Sequence, residues 1–179
     1  MKSGWFYALV FSSLWITIKM IAFAVQWNLD DIQYFVLLNM ALLTASIALF
    51  MYRQKRLQTE SNVLSDTKIG LKVGLPYTLI ISFFLFFYYR DIYPEFNVNK
   101  RAAIEQNMDT PEKIAKIRKA NNALENKTDK EIIELARKNN ELMFSPNFTL
   151  SISLLALLVY STLNSLLIAV IYRKVVFRD

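Results

Sequence analysis

Residues 148–172 read FTLSISLLALLVYSTLNSLLIAVIY, a run without a single charged side chain. A helix needs roughly 20 mostly apolar residues to cross a hydrocarbon layer about 30 Å thick, and this run meets that length. Backbone polar groups inside lipid must bond within their own segment, so the run is predicted to be a membrane-spanning helix. The basic pair Arg173-Lys174 ends it.

Three earlier runs have the same character, at about Trp5–Val25, Ile32–Tyr52 and Ile69–Tyr89. A cleaved signal peptide is the alternative for the first run, because Lys2 precedes it and Ala22-Phe23-Ala24 resembles a cleavage site. Lys19 interrupts that run where a signal peptide should stay apolar, so we favour a retained first span. The sequence therefore predicts four spans.

Residues 91–146 form the one long polar segment, in which acidic and basic residues nearly balance. Thr110-Pro111 and the capping box Thr128-Asp129-Lys130-Glu131 predict the starts of two helices, and a shorter helix is expected near Lys100–Asn107. Apolar residues near helical spacing follow the capping box: Ile132, Leu135, Ala136, Leu142 and Met143. We expect the second helix to end at Pro146.

The predicted fold is thus all-α, a four-helix transmembrane bundle with a polar helical hairpin inserted between spans 3 and 4. Its parts are residues 1–90 with spans 1–3 and short loops, residues 91–146 with the hairpin, and residues 147–179 with span 4 and a basic C-terminal tail. No internal repeat or low-complexity tract is visible in the sequence.

Four spans place both termini on one side of the membrane. The positive-inside rule counts Lys and Arg close to span ends. On the side of the termini these are Lys2, Arg53, Lys55, Arg56, Lys68, Arg173, Lys174 and Arg178, and on the other side Arg90, Lys100, Arg101, Arg137 and Lys138. We therefore predict cytoplasmic termini and an extracytoplasmic hairpin.

The chain has no Cys and no His. Thiolate nucleophiles, the usual zinc and haem ligands and the commonest acid–base side chain are therefore missing, and we predict no catalytic, cofactor or metal site. The net charge of +6 is assigned to loops beside the spans rather than to nucleic-acid binding. The spans bounded above contain no Asp or Glu, which disfavours a proton-driven exporter.

Three polar residues inside the spans are candidates for an intramembrane site: Lys19, Asn39 and Asn164. An ionisable residue within a span suggests function, but the long stem of Lys19 also lets its ammonium reach the headgroups. The two asparagines must find partners in lipid. They either join helices by hydrogen bonds or form a polar path with Lys19.

Small residues four positions apart predict close helix contacts. The pairs are Gly70/Gly74 in span 3 and Ser161/Ser165 in span 4. They can serve the fold of one chain or the interface between two.

The favoured hypothesis is a non-enzymatic accessory, scaffold or interaction subunit that lies in the lipid bilayer and meets a membrane-protein partner or a second copy. The alternative is a small homo-oligomeric transporter or lipid-handling protein that uses Lys19, Asn39 and Asn164. An enzyme acting on lipid through loop carboxylates is a third hypothesis, which the lack of His and Cys disfavours.

Two motifs at either end of span 3 carry a family resemblance: Gly70-Leu71-Lys72-Val73-Gly74 at its start and Tyr88-Tyr89-Arg90-Asp91-Ile92-Tyr93-Pro94-Glu95-Phe96 at its exit. With four spans and one polar helical insert, the chain resembles the small bacterial inner-membrane proteins of the domain-of-unknown-function family with numeric label 4199. The resemblance covers nearly the whole chain. It implies a location in the bacterial inner membrane and supplies no activity, cofactor or site residue.

Overall fold

The computed structural model describes residues 3–27, 32–56, 62–106, 108–120, 124 and 126–176. Lys2 and Arg178, which entered the topology prediction, lie outside this part of the chain. The described helices are α1 (Gly4–Ala24), α2 (Ile32–Lys55), α3 (Val63–Phe87), α4 (Pro94–Glu105), α5 (Pro111–Ala120), α6 (Asp129–Met143) and α7 (Pro146–Ile171). Short π-helical segments at Tyr88–Ile92 and Tyr172–Val176 continue α3 and α7.

Four helical segments are long and apolar enough to cross a membrane: Gly4–Ala24, Ile32–Lys55, Val63–Ile92 and Pro146–Val176. The predicted all-α fold with four spans is confirmed. The described part of the chain is helical throughout apart from turns and short links, without β-strands. Four helices that can span a membrane are the pattern of a multi-pass membrane protein.

The start of α3 differs from the prediction, because the helix begins at Val63 rather than near Ile69. Asn62 caps it, since its side-chain oxygen accepts a hydrogen bond from the Ser65 backbone N–H at 2.7 Å. This satisfies one of the amide groups that a helix start leaves without a partner. The added turns bring Asp66 into α3, ahead of the apolar run Ile69–Tyr89 in which no acidic residue was predicted.

The chain divides into two compact units. Met1–Phe84 and Ser151–Asp179 make one, which holds α1, α2 and most of α3 and α7 and is called the four-span unit here. Its core combines large apolar side chains with buried serines, among them Leu43, Ile47, Val73, Tyr77, Ser46 and Ser82. Small polar residues of this kind let helices approach closely in a membrane.

Leu85–Leu150 make the other compact unit, which holds α4, α5 and α6 and is called the insert unit. The predicted helix starts at Pro111 and at the Thr128 capping box are both present. The shorter helix α4 begins at Pro94, earlier than the predicted Lys100, because proline suits the first position of a helix. Pro146 opens α7 in the same way.

The buried side chains of the insert unit include Ile114 of α5 and Ile132 of α6. Arg118 pairs with Asp129 and Arg137 with Asp109 at its surface. Leu142 and Met143, the last residues of the predicted apolar stripe, are exposed. The apolar stripe is therefore only partly buried within the insert unit.

The stability of the first turn of α6 depends on pH through the side chain of Glu131. The carboxylate accepts hydrogen bonds from the Thr128 backbone N–H and hydroxyl, both at 2.8 Å, and these bonds hold the pKa of Glu131 below its usual 4.5. The pKa of Glu131 is lower in the folded state than in the unfolded state, so its ionised cap stabilises the fold. This stabilisation is complete above the unfolded-state pKa and is lost as the pH falls through the folded-state pKa. We expect hydrogen-exchange protection of amides 131 and 132 to fall as the pH drops below the usual value of 4.5.

The variant Glu131→Gln is the control for this result, because its side chain does not titrate. Its protection factors, corrected for the intrinsic exchange rate, should stay level over the same pH range. A parallel fall in this variant would assign the pH effect to another group.

Candidate functional site

Lys19 lies on the inward face of α1. Buried residues of this helix recur at helical spacing and include Ala8, Ser12, Trp15, Lys19 and Ala22. The Lys19 side chain is only 2% exposed, and its Nζ lies 3.9 Å from the centroid of the Phe35 ring on α2. The ammonium is thus enclosed by the bundle, in a cation–π contact worth about 2 kcal/mol when desolvated.

Asn39 lies one turn after Phe35 on the same face of α2. It is buried and accepts a hydrogen bond on Oδ1 from the Tyr77 hydroxyl of α3 at 2.7 Å. The Trp15 indole N–H of α1 donates to the Phe35 carbonyl at 2.9 Å. Polar contacts around Lys19 and Asn39 therefore connect α1, α2 and α3.

Asn164 belongs to a different network. Its side-chain amide donates to the Thr44 hydroxyl at 2.5 Å, and Thr44 lies 2.9 Å from the Tyr160 hydroxyl. Thr44 is five residues after Asn39, which places it on another face of α2. The structure thus brings Lys19 and Asn39 to one region and Asn164 to another.

The small-residue pairs of spans 3 and 4 face each other. A Cβ placed on Gly70 would lie 2.5 Å from Ser165 Oγ, and one on Gly74 would lie 2.8 Å from Ser161 Cβ. Distances below 3.0 Å cannot be accommodated without movement, so α3 and α7 pack closely against each other at these residues. Gly70, Gly74, Ser161 and Ser165 are therefore all used within one chain.

A cluster of charges that sequence reasoning missed joins three helical segments. Asp66 of α3 is 3% exposed. Lys55 Nζ at the end of α2 donates to Asp66 Oδ2 at 3.0 Å. Arg173 Nε, just beyond α7, lies 3.2 Å from the same oxygen but without hydrogen-bond geometry. We call these three residues the charge triad.

A cavity of about 10 Å³ adjoins the charge triad, lined by Met51, Lys55, Asp66, Ile69, Ala169 and Tyr172. It has room for about one water molecule. Asp66 Oδ1 is buried and accepts no hydrogen bond from the part of the chain that the structure describes. Buried oxygens of this kind almost always have a donor, so the cavity fits a single small donor such as water.

The helical periodicity of α3 could have shown that Asp66 lies on the buried face of this helix. Buried residues of this helix follow a stripe through Ile69, Val73, Tyr77 and Ile81. Extending that stripe backwards by three residues from Ile69 reaches Asp66. Hydropathy alone stops at Lys68, because the polar stretch before it looks like a loop.

No curated protein and no solved structure gives a significant match to the chain. A family model described as "Protein of unknown function (DUF4199)" matches residues 6–174. That match extends from α1 to the segment beyond α7 and confirms the resemblance drawn from the two motifs of span 3. The chain therefore belongs to this family of proteins of unknown function, DUF4199.

Proposed function

We propose that this chain is a non-enzymatic accessory or scaffold subunit that acts by contact with another protein of the same membrane. One observation carries the proposal, which is that Asn39, Asn164 and the small residues of α3 and α7 are engaged by contacts within the four-span unit. Tyr77 binds Asn39, Thr44 binds Asn164, and the glycines of α3 meet the serines of α7. A packed bundle of this kind suits a scaffold better than a route for substrate.

The proposed location is the inner membrane of a bacterium with both termini in the cytoplasm. Support comes from the basic residues at one end of the four-span unit, where α2 ends with Arg53 and Lys55 and Arg173 follows α7. Basic residues next to spans favour the cytoplasmic side. The insert unit then lies outside the cytoplasm.

Leu142 and Met143 at the end of α6 are the proposed contact for the partner. They are adjacent, apolar and more than half exposed, and such side chains at the edge of a polar unit are suited to a protein interface. The proposed occupant is a second membrane protein, because α6 ends only two residues before α7 enters its span.

Gentle detergent extraction from the native membrane, followed by native mass measurement, tests the proposal. Wild type should retain a stoichiometric second protein, and Leu142→Ser with Met143→Ser should reduce its recovery about tenfold. The matched control is Val175→Ser with Val176→Ser, another exposed apolar pair, which should retain the partner. A monomer or a homo-oligomer as the sole species would contradict the proposal.

The alternative of a transporter or lipid-handling protein draws on the buried Lys19 beside Asn39. The variant Lys19→Met separates the two functions, because it keeps the buried stem and removes the charge. An accessory subunit should still recover its partner in this variant. Loss of flux or lipid transfer in proteoliposomes, with partner recovery unchanged, would favour the alternative.

A further inference from the structure

The four-span unit has a strongly basic end, where α2 finishes and α3 starts. The described charged residues there are one acid, Asp66, and the bases Arg53, Lys55, Arg56, Lys68, Lys72, Arg173 and Lys174. All lie near the ends of apolar spans, where phospholipid headgroups are expected. The positive-inside rule explains the sign of this charge, but it does not explain why Lys55 and Arg173 turn inward onto one carboxylate.

Arg173 has hydrogen-bond donors that have no acceptor in the described part of the chain. Its side chain is 33% exposed, and within the described part of the chain its one polar contact is from Nε to Asp66. The two terminal nitrogens of the guanidinium therefore have no acceptor in this part of the protein. A guanidinium is always charged, and its planar donors fit two phosphate oxygens at once.

Asp66 acts as a positioning residue in this cluster. A single oxygen, Oδ2, lies within 3.2 Å of both Lys55 Nζ and Arg173 Nε. One acid between two bases leaves the charge triad with one excess positive charge. The carboxylate is too buried to be reached from outside, whereas Lys55 and Arg173 are partly exposed, at 15% and 33%. The two cations are thus held in place before any anion arrives, which reduces the ordering cost of binding.

The geometry points to a binding site for the phosphate of an anionic phospholipid headgroup, formed by Arg173 and Lys55 and positioned by Asp66. A lipid is the source that fits, because the donors lie at the end of the spans, and basic pockets between membrane helices bind such headgroups. The inference is independent of the partner contact proposed for Leu142 and Met143.

Native mass spectrometry of the full chain, in mixed phosphatidylglycerol and phosphatidylcholine, measures the preference. Wild type should retain phosphatidylglycerol about tenfold over phosphatidylcholine, the size expected for one charge-assisted contact. Arg173→Gln should abolish most of this preference. Lys174→Gln removes the same charge one residue later, from an exposed side chain, and should keep it. If Arg173→Gln does not fold, Lys55→Gln carries the same test.

Thermal unfolding in nanodiscs provides the second arm. Asp66→Asn removes the carboxylate that holds Lys55 and Arg173 in place, so phosphatidylglycerol should raise its midpoint temperature less than that of wild type. Equal losses of preference in Arg173→Gln and Lys174→Gln would reduce the effect to diffuse surface charge and overturn the proposal. So would an equal or larger lipid effect on Asp66→Asn, or equal stabilisation by inorganic phosphate in phosphatidylcholine alone.

Discussion

Replacing Asp66 with asparagine is expected to lower the free energy of unfolding by about 3 kcal/mol in a neutral detergent. The substitution keeps the size of the side chain and removes the charge that Lys55 and Arg173 share. Breaking a fully buried ion pair costs about 3–5 kcal/mol, because the remaining charge is left without compensation. The value lies at the low end here because both cations keep some exposure and can relax towards water.

Equilibrium unfolding in mixed detergent micelles measures this loss. The matched control is Asp129→Asn, which removes the same charge from the exposed pair with Arg118. Exposed pairs of that kind contribute less than about 1 kcal/mol. Similar losses in the two variants would contradict the view that burial gives Asp66 its importance.

A second substitution separates the charge from the packing. Adding Lys55→Met to Asp66→Asn removes one of the two stranded cations and keeps the apolar stem of the side chain. We expect the double variant to regain about half of the lost stability, since coupled residues give non-additive effects of 0.5–3 kcal/mol. Simple addition of the two single losses would show that the pair is not coupled.

The spans and the starts of α5 and α6 could be predicted from the sequence because their causes are local. Inside lipid each segment must form its backbone hydrogen bonds within itself, so a helix is the structure expected for the apolar run at residues 148–172. The capping box at Thr128 and Glu131 needs only residues three apart. Neither inference depends on what the segments meet in three dimensions.

The charge triad could not be predicted in the same way because its members are far apart in the chain. Lys55, Asp66 and Arg173 each follow or precede an apolar run, where a charged residue is expected for topology alone. The helical phase of α3 could have placed Asp66 on the buried face. The identity of its partners, however, depends on which spans are neighbours.

Lys19 and Asn164 illustrate the same limit. Lys19 lies on the buried face of α1 with Ala8, Ser12, Trp15 and Ala22, which the sequence left open because the long stem of a lysine can also reach the headgroups. The partner of Asn164 is Thr44 of α2, and nothing in the sequence distinguishes that pairing from one with Lys19 or Asn39. Periodicity gives the direction of a side chain within its own helix, and packing decides which residue it meets.

The contact between α3 and α7 leads to the other large expected effect. Gly70→Ala should lower the free energy of unfolding by about 2 kcal/mol or more, because overpacking forces well-packed helices apart. The nearest atoms to the new Cβ are Oγ and Cβ of Ser165, at 2.5 and 2.7 Å, and Met51 Sδ follows at 2.9 Å. Unfolding in mixed micelles measures the loss.

Ser165→Gly removes the two nearest atoms, so the double variant Gly70→Ala with Ser165→Gly should regain most of the lost stability, while Met51 shifts its flexible side chain. Ser161→Gly is the control, because it lies one turn away and faces Gly74 instead, and it should not rescue Gly70→Ala. Failure of the Ser165 rescue would contradict this register of α3 against α7. A change in native mass without loss of stability would instead assign Gly70 to an interface between two copies of the chain.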